Sequence, residues 1–258
     1  MTELVDRVTA ALRTNHDVLA ALVPDLDEEQ LTGPSGASEW TVAQALSHLG
    51  SGAEITVKPI ADAAGLPFEA EDNQDVWARW DASAPLDQAA GFVEHDAHYL
   101  DVVEGLSAAQ KADLSIDLGF LPEPVPLVVA LGMRLNEVAA HAWDVRVGLD
   151  PEAGIDPGSA ALLLELYAGP LGFLLGFAAK PDQLSEPARV AVPGGGIVVT
   201  DAVAVTSDLD DATATFEGPA EAVARLLTGR LKSEFTPAGV QVTGNVSLDD
   251  LRKVFPGY

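Results

Sequence analysis

The chain has 258 residues, 48% of them hydrophobic, enough to build a sizeable core in one large or two ordinary domains. Its 40 acidic and 14 basic residues give a net charge of −26, which repels phosphate backbones and anionic membranes and argues against a nucleic-acid partner. It has no cysteine, so any metal falls to histidine and carboxylate ligands, and any sulfur chemistry needs a thiol from outside the protein.

Leu4, Val8, Leu12, Leu19 and Leu22 recur at helical spacing and predict a first helix over residues 3–23, stopped by Pro24. This N-terminus is charged and amphipathic, unlike a signal peptide, and the expected location is cytoplasmic. After the loop LTGPSGASE, Thr41 and Gln44 form a capping-box pattern. A second helix therefore starts after Trp40 and carries Val42, Ala45, Leu46, His48 and Leu49. Residues 65–85, with Trp77 and Trp80, read as a long connection. Phe92, Val93, Tyr99, Leu100 and Val103 predict a third helix from about 86 to 105, and a fourth follows the Pro-rich GFLPEPVPL, from about 127 to 148. Four amphipathic helices predict an up-down-up-down bundle, in which sites form from inward side chains on facing helices.

The character changes after Asp150. The linker-like DPEAGIDPGS predicts two domains, residues 1–152 and 153–258. The apolar run SAALLLELYAGPLGFLLGFAA contains Glu165 and Pro170 and predicts a buried, broken helix rather than a membrane span. ARVAVPGGGIVVTDAVAV reads as a β-hairpin, ATATFEG and GVQVTGN as strands, EAVARLLTGRL as a short helix, and SLDDLRKVF as a last helix capped by Ser247. The expected fold class is α+β.

The chemistry concentrates on the fourth helix. Glu137 and His141 are four residues apart, about one turn, and point the same way. With His48 from the second helix they make three ligands for a divalent metal and leave a position open for substrate. Arg134, Glu137, His141 and Asp144 form one narrow polar band with apolar residues on both edges, and Asp144 is placed to orient a ligand. Against this, a Glu-x-x-x-His pair is by itself a weak signal, and the wet side of an amphipathic helix gives the same pattern. His95 and His98, beside Glu94 and Asp96, are a rival metal pair. Phe92, Tyr99 and Val103 near the same side favour an ordinary, partly buried face for them. His16 reads as a surface residue. Gly194–Gly196 lacks a Gly-Lys-Ser/Thr ending and is followed by a strand, so it is a hairpin turn rather than a phosphate loop. No Gly-x-Ser-x-Gly nucleophile elbow occurs. Trp40, Trp77, Trp80 and Trp143 read as core or loop anchors.

Two segments resemble a known family. EWTVAQALSHL is similar to the Trp-(Ser/Thr)-Val…His-Leu segment of the mycothiol-dependent maleylpyruvate isomerase family, and NEVAAHAWDVRVGL to its Glu-x-x-x-His-x-x-Asp-Val segment. The resemblance implies a DinB-like four-helix bundle followed by a smaller α+β domain resembling sterol carrier proteins. It implies His48, Glu137 and His141 as ligands of a divalent metal, expected to be Zn²⁺, and mycothiol as thiol cosubstrate. It also carries a basic residue implicated in catalysis onto Arg230, in LLTGRL, where Arg134 and Arg79 are weaker candidates for pairing with carboxylates of thiol or substrate. The implied activity is attack of a metal-activated thiolate on a small electrophile, as isomerase or S-transferase. The alternative is a binding module without turnover, for a metal or a small apolar ligand.

Overall fold

The computed structural model describes residues 2–257. The chain divides into two compact units at the Asp150–Pro151 bond. The first holds α1 (Thr2–Leu22), α2 (Glu28–Thr32), α3 (Val42–Ala64), α4 (Asn73–Ala82), α5 (Pro85–Glu104), α6 (Ala108–Asp113), the two-residue strands β1 (Ser115–Ile116) and β2 (Val125–Pro126), and α7 (Leu127–Val147). Local chemistry sets the start of α3. Thr41 Oγ1 accepts from the Gln44 amide, and Gln44 Oε1 accepts from the Thr41 amide, so two helix-end donors are satisfied reciprocally. At its other end Gly65 takes the left-handed conformation, φ 70°, that closes a helix without a Cβ penalty.

The four long helices form a bundle, but its order differs from the up-down-up-down expectation. α3 packs against α5 and α7, and α1 against α5 and α7, so α1 stands diagonal to α3, and α5 to α7. Side-chain pairs give the directions. Arg13 meets Glu104 while His16 meets Asp96, so α1 and α5 are antiparallel. Gly50 lies against Phe92 and Glu54 against His95, so α3 and α5 are parallel. Val42 lies near Gly148 and Leu49 near Arg134, so α3 and α7 are antiparallel. The topology is up-down-down-up.

The physical reason is the segment between α3 and α5. The 23 residues of α3 span roughly 35 Å at 1.5 Å per residue. The extended stretch 65–72, reaching at most ~27 Å, and the ten-residue α4, roughly 15 Å, are together long enough to bring the chain back to the starting end. The return is pinned by Trp80. Its ring fills the space that side chains at Gly50 and Gly91 would occupy, and its Nε1 donates to Glu54 Oε2 at 2.8 Å. What the sequence presented as a connection is thus a helix wedged against the bundle.

The second unit contains α8 (Pro157–Tyr167), α9 (Leu175–Ala178), β3 (Ala188–Val192), β4 (Gly195–Val199), β5 (Val203–Thr206), β6 (Ala214–Glu217), α10 (Ala220–Leu227), β7 (Gln241–Gly244) and α11 (Leu248–Val254). The strands form one sheet in the order β5-β4-β3-β6-β7, antiparallel except for the β3–β6 pair. The expected hairpin is β3–β4, with Val192 opposite Gly195 across the Pro193-Gly194 turn. α8 packs on α10, burying Leu162, Leu163 and Leu166. The apolar run is broken after Tyr167, as Gly169 and Pro170 imply. Among the described residues no single helix is long and apolar enough to cross a membrane.

Candidate metal centre

His48 comes from the second turn of α3, Glu137 and His141 from the second half of α7. The antiparallel packing of the two helices brings the three side chains together. Each offers a ligand atom, and the three atoms lie within 4.8 Å of one another. His48 Nε2 is 3.3 Å and His141 Nε2 3.6 Å from Glu137 Oε2, with the two imidazole centroids 4.6 Å apart. Among the described residues no other group of three such donors comes together.

The surroundings orient this trio. His141 Nδ1 lies 2.8 Å from Oδ2 of the fully buried Asp144. That carboxylate engages Nδ1 and leaves Nε2 turned toward the cluster, where a metal ion would take the place of the proton shared with Glu137. The Asp144 carbonyl in turn accepts from the Gly36 amide at 2.8 Å, tying the loop before α3 to α7. A Cβ at Gly36 would stand 2.6 Å from Val147 Cγ1 and 2.9 Å from Asp144 Oδ1, so only glycine permits this approach. The same loop presents Trp40, whose ring packs 5.1 Å from His48 and 5.5 Å from His141, centroid to centroid.

Crowding by protein pushes the Glu137 carboxyl upward, but hydrogen bonds from His141 and His48 outweigh it and hold the group well below the usual carboxylate range. Its side chain keeps 43% exposure and that of His48 41%, so water screens part of this attraction. The same exposure keeps one side of the cluster open. Two imidazoles and one carboxylate oxygen, converging with an accessible face, form a donor set that fits a divalent ion in an open site.

The other residues singled out in the sequence lie elsewhere. Arg134, one turn before Glu137, is buried. Its guanidinium donates to Asp96 Oδ1 and to the Leu49 carbonyl, both at 2.7 Å, and lies over the Tyr99 ring. It is spent on the bundle interior, which corrects the reading of Arg134 as a partner for a bound thiol or substrate. Arg79 is engaged by Glu54 and Glu71. His16, expected at the surface, is buried with Nδ1 3.0 Å from Asp96 Oδ2. His95 faces Glu54 at 3.4 Å, while His98 stacks on Phe68. Arg230 belongs to the second unit, just beyond α10, where its Nη1 donates to the Thr228 carbonyl.

The chain is thus an α+β protein whose helical half brings together three donors, His48, Glu137 and His141, that could hold a metal ion. The family profile of the mycothiol maleylpyruvate isomerase N-terminal domain matches residues 12–146, and the chain belongs to that family. It is 31% identical over 154 residues to an uncharacterised protein found in two strains of Mycobacterium tuberculosis, covering 57% of this chain and 74% of the relative. The crystal structure of the mycothiol-dependent maleylpyruvate isomerase superposes with a TM-score of 0.62 at 17% identity, covering 94% of both chains. A histidine-to-alanine mutant of that enzyme gives 0.61. At this identity the two structures establish the shared fold.

Proposed function

We propose that this protein is a mycothiol-using enzyme that delivers a thiolate to a small electrophile, with His48, Glu137 and His141 holding a divalent cation, zinc by the nature of the donors. The observation that carries the reading is the convergence of these three side chains, from helices 89 residues apart in the chain, with Asp144 behind His141. A cation bound there supplies the positive charge that lowers a thiol's pKa toward neutrality. Asp144 fixes the His141 tautomer, and Glu137 contributes an anionic oxygen that needs no proton removed at working pH. Trp40 covers the imidazoles on one side and restricts water there.

The sulfur then adds to an electrophilic carbon. In an isomerase, addition to a cis double bond conjugated to a carbonyl leaves a single bond that rotates. Elimination of the same thiolate restores the double bond as trans and returns the thiol. In an S-transferase the adduct is the product. Arg230, carried over from the family resemblance, is the proposed cation for a substrate carboxylate. The same resemblance supports reading the second unit as similar to sterol carrier proteins.

Elemental analysis of the purified protein tests the metal, with about one ion per chain expected. His48→Ala and His141→Ala should each abolish it, and thiol-transfer assays with mycothiol against a panel of electrophiles, maleylpyruvate included, test the chemistry. Retention of metal by both variants would overturn the assignment. A second reading, a binding module without turnover, is favoured by a groove of about 580 Å³ in the second unit, walled by Leu164, Val192 and Val205. Stoichiometric metal with no turnover of any electrophile, together with binding of a fatty acid, would decide for it.

A further inference from the structure

Beside His48 opens a cleft of about 420 Å³ that continues away from the metal cluster between α3, α4 and the start of α5. Three tryptophans line it, Trp80 buried at its base and Trp40 and Trp77 exposed. Trp40 is 36% exposed and Trp77 45%, among the most exposed large apolar side chains of the first unit. Both are held by ordered backbone. The Trp40 carbonyl accepts from the Ser35 amide at 2.9 Å and its amide donates to Ala37. Trp77 rides on α4, which Trp80 anchors to the bundle.

The polar groups of the cleft are uncharged or acidic. Gln44 uses Oε1 in the α3 capping box, which leaves its NH₂ group as a donor. Gln88 uses Nε2 on the Trp80 carbonyl, which leaves its Oε1 as an acceptor. Asp81 is exposed on the wall, and the hydroxyls of Ser47 and Ser51 complete it. The described lining residues include no lysine or arginine. The nearest guanidiniums are already neutralised, Arg79 by Glu54 and Glu71, and Arg134 by Asp96. In a chain of net charge −26, such a cleft repels an anion. Alternating donors and acceptors beneath flat aromatic faces match a ring that is apolar on its C–H face and carries hydroxyls at its edge.

We infer that this cleft is the subsite for the uncharged, hydroxyl-rich ring portion of the thiol cosubstrate, held against Trp77 and Trp40 with its hydroxyls on Gln44, Asp81 and Gln88. The inference rests on the thiol-using reading above and adds to it the ligand class that the cleft selects. A carboxylate-bearing electrophile must then be held by another part of the site. The cleft makes the enzyme discriminate between thiols by their sugar portion, independent of the sulfur.

Isothermal calorimetry with the full-length, zinc-loaded protein tests this, using as probe the thiol-free, uncharged N-acetylglucosaminyl-inositol. The wild type should bind the probe, and maleate should fail to displace it. Trp77→Ala should weaken binding about three- to tenfold, the loss of one stacking contact, and Trp77→Phe should recover part of it. Asp81→Lys should weaken the probe and admit maleate. Circular dichroism and metal content report whether each variant is folded and loaded. Unchanged probe affinity in both Trp77→Ala and Asp81→Lys, or equal KM values for mycothiol and N-acetylcysteine in the wild type, would overturn the inference. The second outcome leaves the thiol-using reading intact. Failure to bind metal or to use any thiol would instead sink that reading while the calorimetry still reports on the cleft.

Discussion

The first unit contains two histidine–carboxylate clusters of similar makeup that differ in what the fold does with them. His48, Glu137 and His141 converge with Glu137 and His48 still reached by water, and their Nε2 and Oε2 atoms point at a common space. His16, Asp96 and Arg134 converge just as closely, but all three are buried, with Asp96 placed between the imidazole and the guanidinium. Arg134 Nε alone is left without a partner. A buried ion cluster of this kind gains little net stability over apolar packing, yet removing one member leaves an unpaired charge in the core. The comparison teaches that proximity of acid and imidazole does not define a site. An open face does, together with ligand atoms whose remaining valence is unspent.

The largest effect that would test this contrast is Asp96→Ala. It strands the Arg134 guanidinium and His16 in the interior, and the expected cost is about 3–5 kcal/mol in urea denaturation. Folded variant protein should still take up metal, because Asp96 touches none of the three ligands. Loss of metal without loss of stability would erase the distinction between the clusters. Asp144→Ala should do the converse. Its carboxylate positions His141, so metal affinity should fall about 10–100-fold in a chelator competition. An unchanged affinity would show that Asp144 serves packing alone. Gly36→Ala probes the loop that carries Trp40 and is tied to α7 at Asp144. The added methyl meets Val147, Trp143 and Asp144, and overpacking there should cost about 1–3 kcal/mol and displace Trp40. The readout is the thermal midpoint, together with the exposure of Trp40 to a fluorescence quencher.

Much of the first unit was legible in the sequence because its signals are local. The Thr41–Gln44 box fixed where α3 starts, hence the phase at which His48 projects, and the four-residue spacing placed Glu137 with His141. What was not legible depends on long-range packing. The up-down-down-up order follows from α4, whose signal was faint: Asp72 as N-cap, with Val76 and Trp80 four apart as its buried positions. Arg134 shares its helix face with Glu137, and periodicity alone gives both the same environment. Only the arrival of Asp96 from α5 and of the Leu49 carbonyl from α3 commits Arg134 to the core. The burial of His16 is illegible for the same reason, since its partner lies 80 residues away. The cleft beside His48 leaves no mark in the sequence, because its walls come from a loop and from three helices, two of them reached through segments without periodicity.

The smallest effect concerns acid. Burial pushes the Asp96 carboxyl upward, but the hydrogen bond from His16 and the Arg134 charge overcome it, so its folded-state value lies below the usual carboxylate range. The sign follows. A depressed carboxylate contributes stability that is fully present above its unfolded pKa of ~3.9 and is lost as pH falls through the folded value. The groups facing it are His16, Arg134 and Tyr99. A second effect runs the other way, because protonating other acids relieves the self-repulsion of a chain carrying −26 charges. Stability should therefore hold or rise on mild acidification and then drop below ~pH 4. Comparing urea midpoints of wild type and Asp96→Asn across that range separates the two contributions. The repulsion term is common to both proteins, so the wild type should lose more stability than the variant below ~pH 4. Parallel curves would mean that Asp96 keeps an ordinary carboxylate pKa, and that the buried cluster is held together by shape and hydrogen bonding rather than by charge.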